Sequence, residues 1–174
     1  LNNDLIYILQ TKYLINAAGI FSAEIAKLID KKRQLDIQYI KGEYYSYSGK
    51  EQINHLIYPV PGKLSLGLHA TLDLGRGIKF GPSAVETKNL DYKVEEENKM
   101  DFVKSLQQYW PSIQENNLSP DYSGIRAKVR GAEDFNIEKL DSKNKIAINI
   151  IGYISPGLTS SLALGEKITD LVKS

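Results

Sequence analysis

Three places in this chain hold groups that could do chemistry together. In Leu64-Ser65-Leu66-Gly67-Leu68-His69-Ala70-Thr71, period-two alternation puts Leu64, Leu66 and Leu68 on one strand face and Gly67, His69 and Thr71 on the other. An imidazole facing away from a leucine layer, beside a glycine, leaves room for a ligand. A single histidine is more often a satisfied structural residue. In Tyr122-Ser123-Gly124-Ile125-Arg126-Ala127-Lys128 the same alternation aligns Tyr122, Gly124, Arg126 and Lys128. A guanidinium standing over a glycine can hold both oxygens of a carboxylate at once, and it serves equally in an ordinary salt bridge. Third, Ser155-Pro156-Gly157 sits between a strand and the last helix. The backbone N–H groups of residues 157 to 159 could bind an anionic or electron-rich ligand edge there, or Gly157 could simply serve the turn of a capped helix.

The elements that must position these groups can be read from periodicity. Leu5 to Leu9 and Lys12 to Ile15 are short apolar runs separated by Gln10-Thr11, which reads as a hairpin or two sheet strands. Apolar residues at helical spacing predict a helix over 20 to 32, with Lys31-Lys32-Arg33 at its C-terminal end. From Leu35 to Phe80 the period changes to two, in runs at 37–47, 56–60, 64–72 and 78–80, predicting an antiparallel meander. Lys41, Glu43, Tyr45 and Tyr47 share one of its faces, where the tyrosines read as cross-strand packing partners. His55, beside Asn54, reads as surface.

Residues 98 to 118 return to helical spacing, broken at Pro111 into two helices or one kinked helix. Glu95-Glu96-Glu97 reads as a solvated turn. Strands follow at Tyr122 to Val129 and Ala147 to Tyr153. An amphipathic helix closes the chain, with Ser155 as its N-cap and Pro156 as its first residue.

Composition bounds the function. A chain of 174 residues with 42% hydrophobic residues can bury one substantial core, and 22 basic against 21 acidic residues argue against a nucleic-acid partner. With no cysteine and two histidines, thiolate metal sites, Cys nucleophiles and His-rich zinc sites are excluded, so no metal is expected. No apolar run approaches the ~20 residues of a membrane span, and residues 1 to 20 lack the basic region of a signal peptide. Absent cysteine fits a soluble protein of the cell interior. The only Met is Met100, which suggests a processed or partial chain.

Eight stretches taken together resemble one family: "YLINAAGIF", "KGEYY", "LIYPVPGK", "LGLHATLD", "KFGPSAVE", "DYSGIRAKV", "DFNIE" and "GYISPGLTSSLALGE". They are similar, in order and spacing, to the C-terminal half of FAD-dependent L-2-hydroxyglutarate oxidases and dehydrogenases, members of the D-amino-acid oxidase superfamily. The resemblance implies an α+β fold: a mixed or antiparallel substrate-domain sheet with flanking helices, plus strand and helix pieces of an incomplete Rossmann-like FAD-binding domain. It divides the chain into the end of the FAD-binding domain (1–34), a substrate-binding domain (35–145) and a returning strand and helix (146–174). It implies oxidation of a small 2-hydroxy acid, L-2-hydroxyglutarate to 2-oxoglutarate, by hydride transfer to flavin. A non-catalytic remnant, or a relative acting on an amino acid or glycerol 3-phosphate, is the alternative.

By the same resemblance Ala17, Ala18 and Gly19 lie near the FAD at a strand end, and Gly157, Leu158 and Thr159 face the pyrimidine edge of the flavin. Arg126 grips the substrate carboxylate and His69 is the candidate base. No G-x-G-x-x-G turn is present, Gly75-Arg76-Gly77 following no suitable strand, so the chain alone is expected neither to retain FAD nor to turn over. The partner expected is an N-terminal half on a separate chain, with self-association through strand edges near 5 to 15. The location implied is cytoplasmic or peripheral to a membrane. Arg126, His69 and the turn at 157 are expected around one cavity.

Overall fold

The computed structural model describes residues 8–60, 67–142 and 145–174. Its elements run β1 (Tyr13–Asn16), α1 (Ser22–Ile29), β2 (Ile37–Tyr47), β3 (His69–Leu72), β4 (Ile78–Gly81) and β5 (Val85–Thr87). Then come α2 (Lys99–Leu106), β6 (Leu118–Val129), β7 (Asn136–Ser142), β8 (Lys145–Ile151) and α3 (Gly157–Lys173). They form two compact units: one from the chain up to Ile37 together with Ala127–Ser174, the other Gln38–Arg126. The mixed α/β class matches the fold expected from the sequence. No helix among the described residues is long and apolar enough to cross a membrane.

In the first unit the strand order is β1-β8-β7. Lys-Ile-Ala-Ile-Asn-Ile-Ile is a nearly unbroken apolar run, the pattern of a strand covered on both faces. Accordingly β8 is central, with Ile148 and Ile151 fully buried and Ile150 nearly so. It pairs antiparallel with β7 and parallel with β1, Asn16 standing opposite Asn149. α1 buries Ala26.

Two sequence expectations for this unit are corrected. The hairpin over 5 to 15 is not formed by its described part: residues 8–12 are not strand, Thr11 turns the chain by bonding Tyr13, and Tyr13–Asn16 takes a parallel partner from the far end of the chain. Residues 5–7 lie outside the described residues. The first helix ends at Ile29, because Asp30 is extended and its carboxylate accepts the Lys32 N–H. Lys31, Lys32 and Arg33 therefore lie beyond the helix, and Arg33 pairs with Glu138 of β7. The strand β7 carried no period-two signal strong enough to be read from sequence.

The second unit is a sheet of order β3-β4-β2-β5, with β6 also pairing with β2. The expected meander is therefore wrong in its connections: β2 neighbours β4 and β5, and β3 reaches β2 only through β4. Residues 56–60 form no strand and touch the sheet through one bridge, Ile57 to Ala70; residues 61–66 lie outside the described residues. One face carries the core. The row Tyr45, Phe80 and Ala70 is fully buried beneath Phe102, Val103 and Leu106 of α2 and Trp110. Trp110 meets Phe80 edge-on at 5.5 Å, a geometry worth about 1 kcal/mol beyond the area buried.

The 98–118 region holds one regular helix, α2, which stops at Leu106. Pro111 lies in the turn that follows, where the Trp110 N–H reaches back to the Leu106 carbonyl. Glu96 and Glu97 are exposed, as expected of a solvated turn, but the segment is more than a free loop. It leads into a 3-10 turn at Glu96–Asn98 that is tied to the sheet by Glu43, whose carboxylate accepts the Glu95 N–H and the Asn98 amide, with Lys41 at 3.5 Å. Glu43 is only 2% exposed, and these partners are what make its charge tolerable there.

Candidate functional site

The register of the second sheet decides what shares the face opposite the core. Tyr45, Phe80 and Ala70 point inward, so the neighbouring row Tyr44, Gly81 and His69 points the other way, followed by the row Ser46, Lys79 and Thr71. Arg126 joins this face through Gly42. A Cβ at Gly42 would stand 3.5 Å from the guanidinium and 2.9 Å from Pro82, so the missing side chain is what lets Arg126 lie against β2. The guanidinium donates to the Ser83 carbonyl at 3.3 Å, and among the described residues it has no carboxylate partner.

Between these ends lie three tyrosines. Tyr44 and Tyr122 stack with centroids 4.6 Å apart and planes 13° from parallel. Tyr58 meets His69 edge-on at 4.3 Å. Burial, ahead of the neighbouring Tyr122, raises the pKa of the Tyr44 hydroxyl above the ordinary tyrosine value, while the positive charge of Arg126 pulls the other way. Tyr44 thus stays protonated and able to donate at neutral pH. Lys79 closes the far side, 2.6 Å from Asp121 and 5.3 Å from the centre of the Tyr122 ring. His69 and Arg126, read separately from the sequence, are thus gathered on one face with an aromatic floor between them. That face can hold a carboxylate at Arg126, stack or cover a short carbon chain on the tyrosines, and present an imidazole beside it.

In the first unit the two expected cofactor segments leave the same end of the sheet. β1 and β8 run parallel, with Asn16 opposite Asn149, so Ala17–Gly19 and the 152–156 loop both follow the C-terminal ends of adjacent parallel strands. That is where open α/β sheets bind ligands. A buried amide pair fixes the first segment. Asn16 donates to the Ser22 carbonyl at 2.7 Å and to the Asn149 side-chain oxygen at 2.9 Å, and its own oxygen accepts the Ala18 N–H. Gly19 follows at φ +58° with open space where a side chain would be.

The α3 start differs from expectation. Pro156, not Ser155, is the N-cap, and no side chain caps the helix. The Gly157 N–H is taken by the Ile154 carbonyl, so that donor is not free for a ligand. Leu158, 91% exposed, and Thr159, also exposed, stand at the uncapped first turn, and Ser160 closes the first helical bond to Pro156. A cavity of about 250 Å³ opens beside this loop, lined by Lys128, Phe135, Gly152, Ile154, Ser155 and Pro156.

Of the eight residues expected from the sequence, His69 and Arg126 therefore belong to the second unit and share its open face. Ala17, Ala18, Gly19, Gly157, Leu158 and Thr159 belong to the first and lie at one end of its sheet. The sequence reading missed Tyr44, Tyr58, Lys79, Asn16 and Asn149. Tyr44 could have been found by following the even-numbered face of β2, whereas Lys79 of β4 joins that face only through the strand register; the Asn16–Asn149 pair spans 133 residues, and no local pattern reports it.

The sequence matches the profile of the family described as FAD dependent oxidoreductase over residues 4–171. The mitochondrial L-2-hydroxyglutarate dehydrogenase of Arabidopsis thaliana is 33% identical over 90% of this chain and 37% of its own length. The glycerol 3-phosphate oxidase of Mycoplasma genitalium is 30% identical over 99% of this chain and 45% of its own. Among solved structures, the FAD-bound L-alpha-glycerophosphate oxidase of Mycoplasma pneumoniae superposes with a TM-score of 0.78 at 21% identity, covering 92% of this chain and 42% of that one. A glycine oxidase from Bacillus cereus gives 0.65 at 15% identity, covering 91% and 42%. The chain spans half or less of the length of these relatives. FAD fits the first unit by two observations made on it: an uncapped helix start with exposed Leu158 and Thr159, and the sharp turn at Gly19 with open space beside it.

Proposed function

The chain belongs to the FAD dependent oxidoreductase family, and from that premise we propose that it is the part of a flavoenzyme that binds and orients a small 2-hydroxy acid, L-2-hydroxyglutarate in the first instance. The observation that carries this reading is the open face of the second sheet, where Arg126, Tyr44, Tyr122, Tyr58 and His69 are assembled. The guanidinium takes the C1 carboxylate with two parallel hydrogen bonds and so fixes the direction of the Cα–H bond. The imidazole of His69 is the candidate acceptor of the hydroxyl proton, which must leave as the carbon is oxidised. The stacked tyrosines exclude water on one side.

Residues 17–19 and 158–159 of the first unit are the groups that would hold FAD. The N–H groups and positive end of α3 suit its electron-rich edge. When bound, FAD supplies the two-electron acceptor for the reaction. The test is reconstitution: the chain co-expressed with a polypeptide equivalent to the portion of the Arabidopsis relative that it does not cover. L-2-Hydroxyglutarate, added without oxygen, should bleach the visible absorption of bound flavin, and Arg126→Lys should slow this by at least tenfold, because Lys keeps the charge but loses the fork. Bleaching unaffected by Arg126→Lys contradicts the reading.

A second reading, glycerol 3-phosphate as substrate, draws on the 30% identity to the Mycoplasma genitalium oxidase. Bleaching by glycerol 3-phosphate and not by the hydroxy acid would select it.

A further inference from the structure

The open face has a second cation that the single-carboxylate reading leaves unused. Lys79 stands opposite Ser46 on β2, and Arg126 lies against Gly42 of the same strand. Four residues of extended chain separate these rows by about 13 Å, with the Tyr44–Tyr122 stack between them, and the Lys79 side chain leans toward that stack, 5.3 Å from the centre of the Tyr122 ring. Lys79 holds Asp121 at 2.6 Å, has Asp73 at 4.0 Å, and keeps its ammonium near the Tyr122 ring. Its side chain is 25% exposed, and an ammonium has three donors, so Asp121 and Asp73 do not exhaust it.

The dimensions select a ligand. The end carboxyl carbons of an extended five-carbon diacid lie about 5 Å apart, from C–C bonds of about 1.5 Å. A charge-assisted hydrogen bond of about 2.8 Å at each end, plus the bonds to the charged centres, brings the span between cations to about 10 to 12 Å. That is slightly shorter than the separation of the two rows, as the lean of Lys79 toward Tyr122 allows. A monocarboxylic hydroxy acid offers Lys79 no second carboxylate, and glycerol 3-phosphate has an anionic group at one end only.

We infer that Lys79 is the specificity-determining residue of this face, holding the distal carboxylate of a five-carbon hydroxy diacid while Arg126 holds the proximal one. Asp121 keeps the Lys79 ammonium over the aromatic stack and competes with the incoming carboxylate. This assignment rests on the carboxylate reading of Arg126 proposed above.

The test is calorimetric titration of the purified 174-residue chain with 2-oxoglutarate, 2-oxobutyrate and glycerol 3-phosphate. The wild-type chain should bind the diacid about tenfold more tightly than the monoacid. Lys79→Met should remove that preference by weakening the diacid about tenfold while leaving the monoacid unchanged, Lys79→Arg should retain it, and Asp121→Asn should tighten the diacid a few-fold. Arg126→Met should weaken both acids. If Arg126→Met weakens both acids while Lys79→Met changes neither, or both alike, the role of Lys79 is overturned and the clamp stands. If Arg126→Met changes nothing, or no acid binds at millimolar concentration, the carboxylate reading falls and the role of Lys79 with it.

Discussion

Replacing Asn16 with Ala should unlock the strand end that places Ala17–Gly19. The side chain makes three contacts: it donates to the Ser22 carbonyl at 2.7 Å and to Asn149 at 2.9 Å, and accepts the Ala18 N–H at 3.3 Å. Asn149 is fully buried, so its side-chain oxygen cannot turn to solvent once Asn16 is gone. Leaving one buried acceptor unmatched costs about 1 to 3 kcal/mol, and loss of the bond to Ser22 adds about 1 kcal/mol, for a total near 3 kcal/mol. Hydrogen exchange is the suitable assay because it reads the first unit locally, where the sole tryptophan, Trp110 of the second unit, does not. Amides of β8 should lose about 100-fold in protection, since 1.4 kcal/mol is about tenfold. Asn149→Ala removes the orphaned oxygen, so the double variant should be more stable than the sum of the two singles by at least 1 kcal/mol. Additive losses, or a fall confined to the termini, would refute the view that this amide pair is the latch of the cofactor-side loop.

Other outcomes follow from the second unit and from surfaces of the first. Gly42→Val puts atoms where Pro82 and the Arg126 guanidinium now lie, so carboxylate binding in the same titration should fall at least tenfold, whereas Gly165→Ala, in α3 of the first unit with nothing within 4 Å of its Cβ, should leave it unchanged. Glu43→Leu removes the acceptor of the Glu95 N–H and the Asn98 amide and should lower unfolding stability by about 2 to 4 kcal/mol, followed by Trp110 fluorescence in urea. Burial in each case pushes Tyr45, Tyr47 and Tyr109 up to about 12 from an ordinary value near 10. A raised folded pKa gives stability that is complete below pH ~10 and lost as pH rises toward ~12, so melting temperature should drop across that window, and less steeply in Tyr109→Phe. The trough of about 950 Å³, whose lining combines Leu9, Leu14 and Leu140 with Lys12, Asp30 and Lys145, lies beside half-exposed Tyr13 and Ile15 and should drive self-association of the purified chain, visible as a concentration-dependent sedimentation coefficient.

What the sequence disclosed, and what it hid, divides along physical lines. β2, β6, β8 and the last helix were legible because one face or both must be apolar, and that requirement writes a period into neighbouring residues. The partner of each strand was not legible. β1 reads like half of a hairpin, yet its neighbour lies more than 130 residues away, and pairing energy leaves no local trace. Short elements failed too: β5 and β7 are too short or too charged to show alternation, and Asp30 ended α1 by a side-chain bond that propensity does not record. At the site, His69 and Arg126 were visible as polar residues on strand faces that should have been plain. Tyr44 was hidden because the even-numbered face of β2 mixes polar and apolar residues, while the odd-numbered face, with buried Glu43 and Tyr45, is the core face. Nothing short of the register could bring Lys79 and Tyr58 to the same place.

The measurement that tests the central claim most directly is a crystal structure of the chain with 2-oxoglutarate bound. The account predicts the C1 carboxylate on the Arg126 guanidinium, in two hydrogen bonds of about 2.8 Å, with the carbon chain across Tyr44 and Tyr122 and the keto oxygen turned toward His69. A ligand seated elsewhere, with Arg126 still on the Ser83 carbonyl alone, would contradict it.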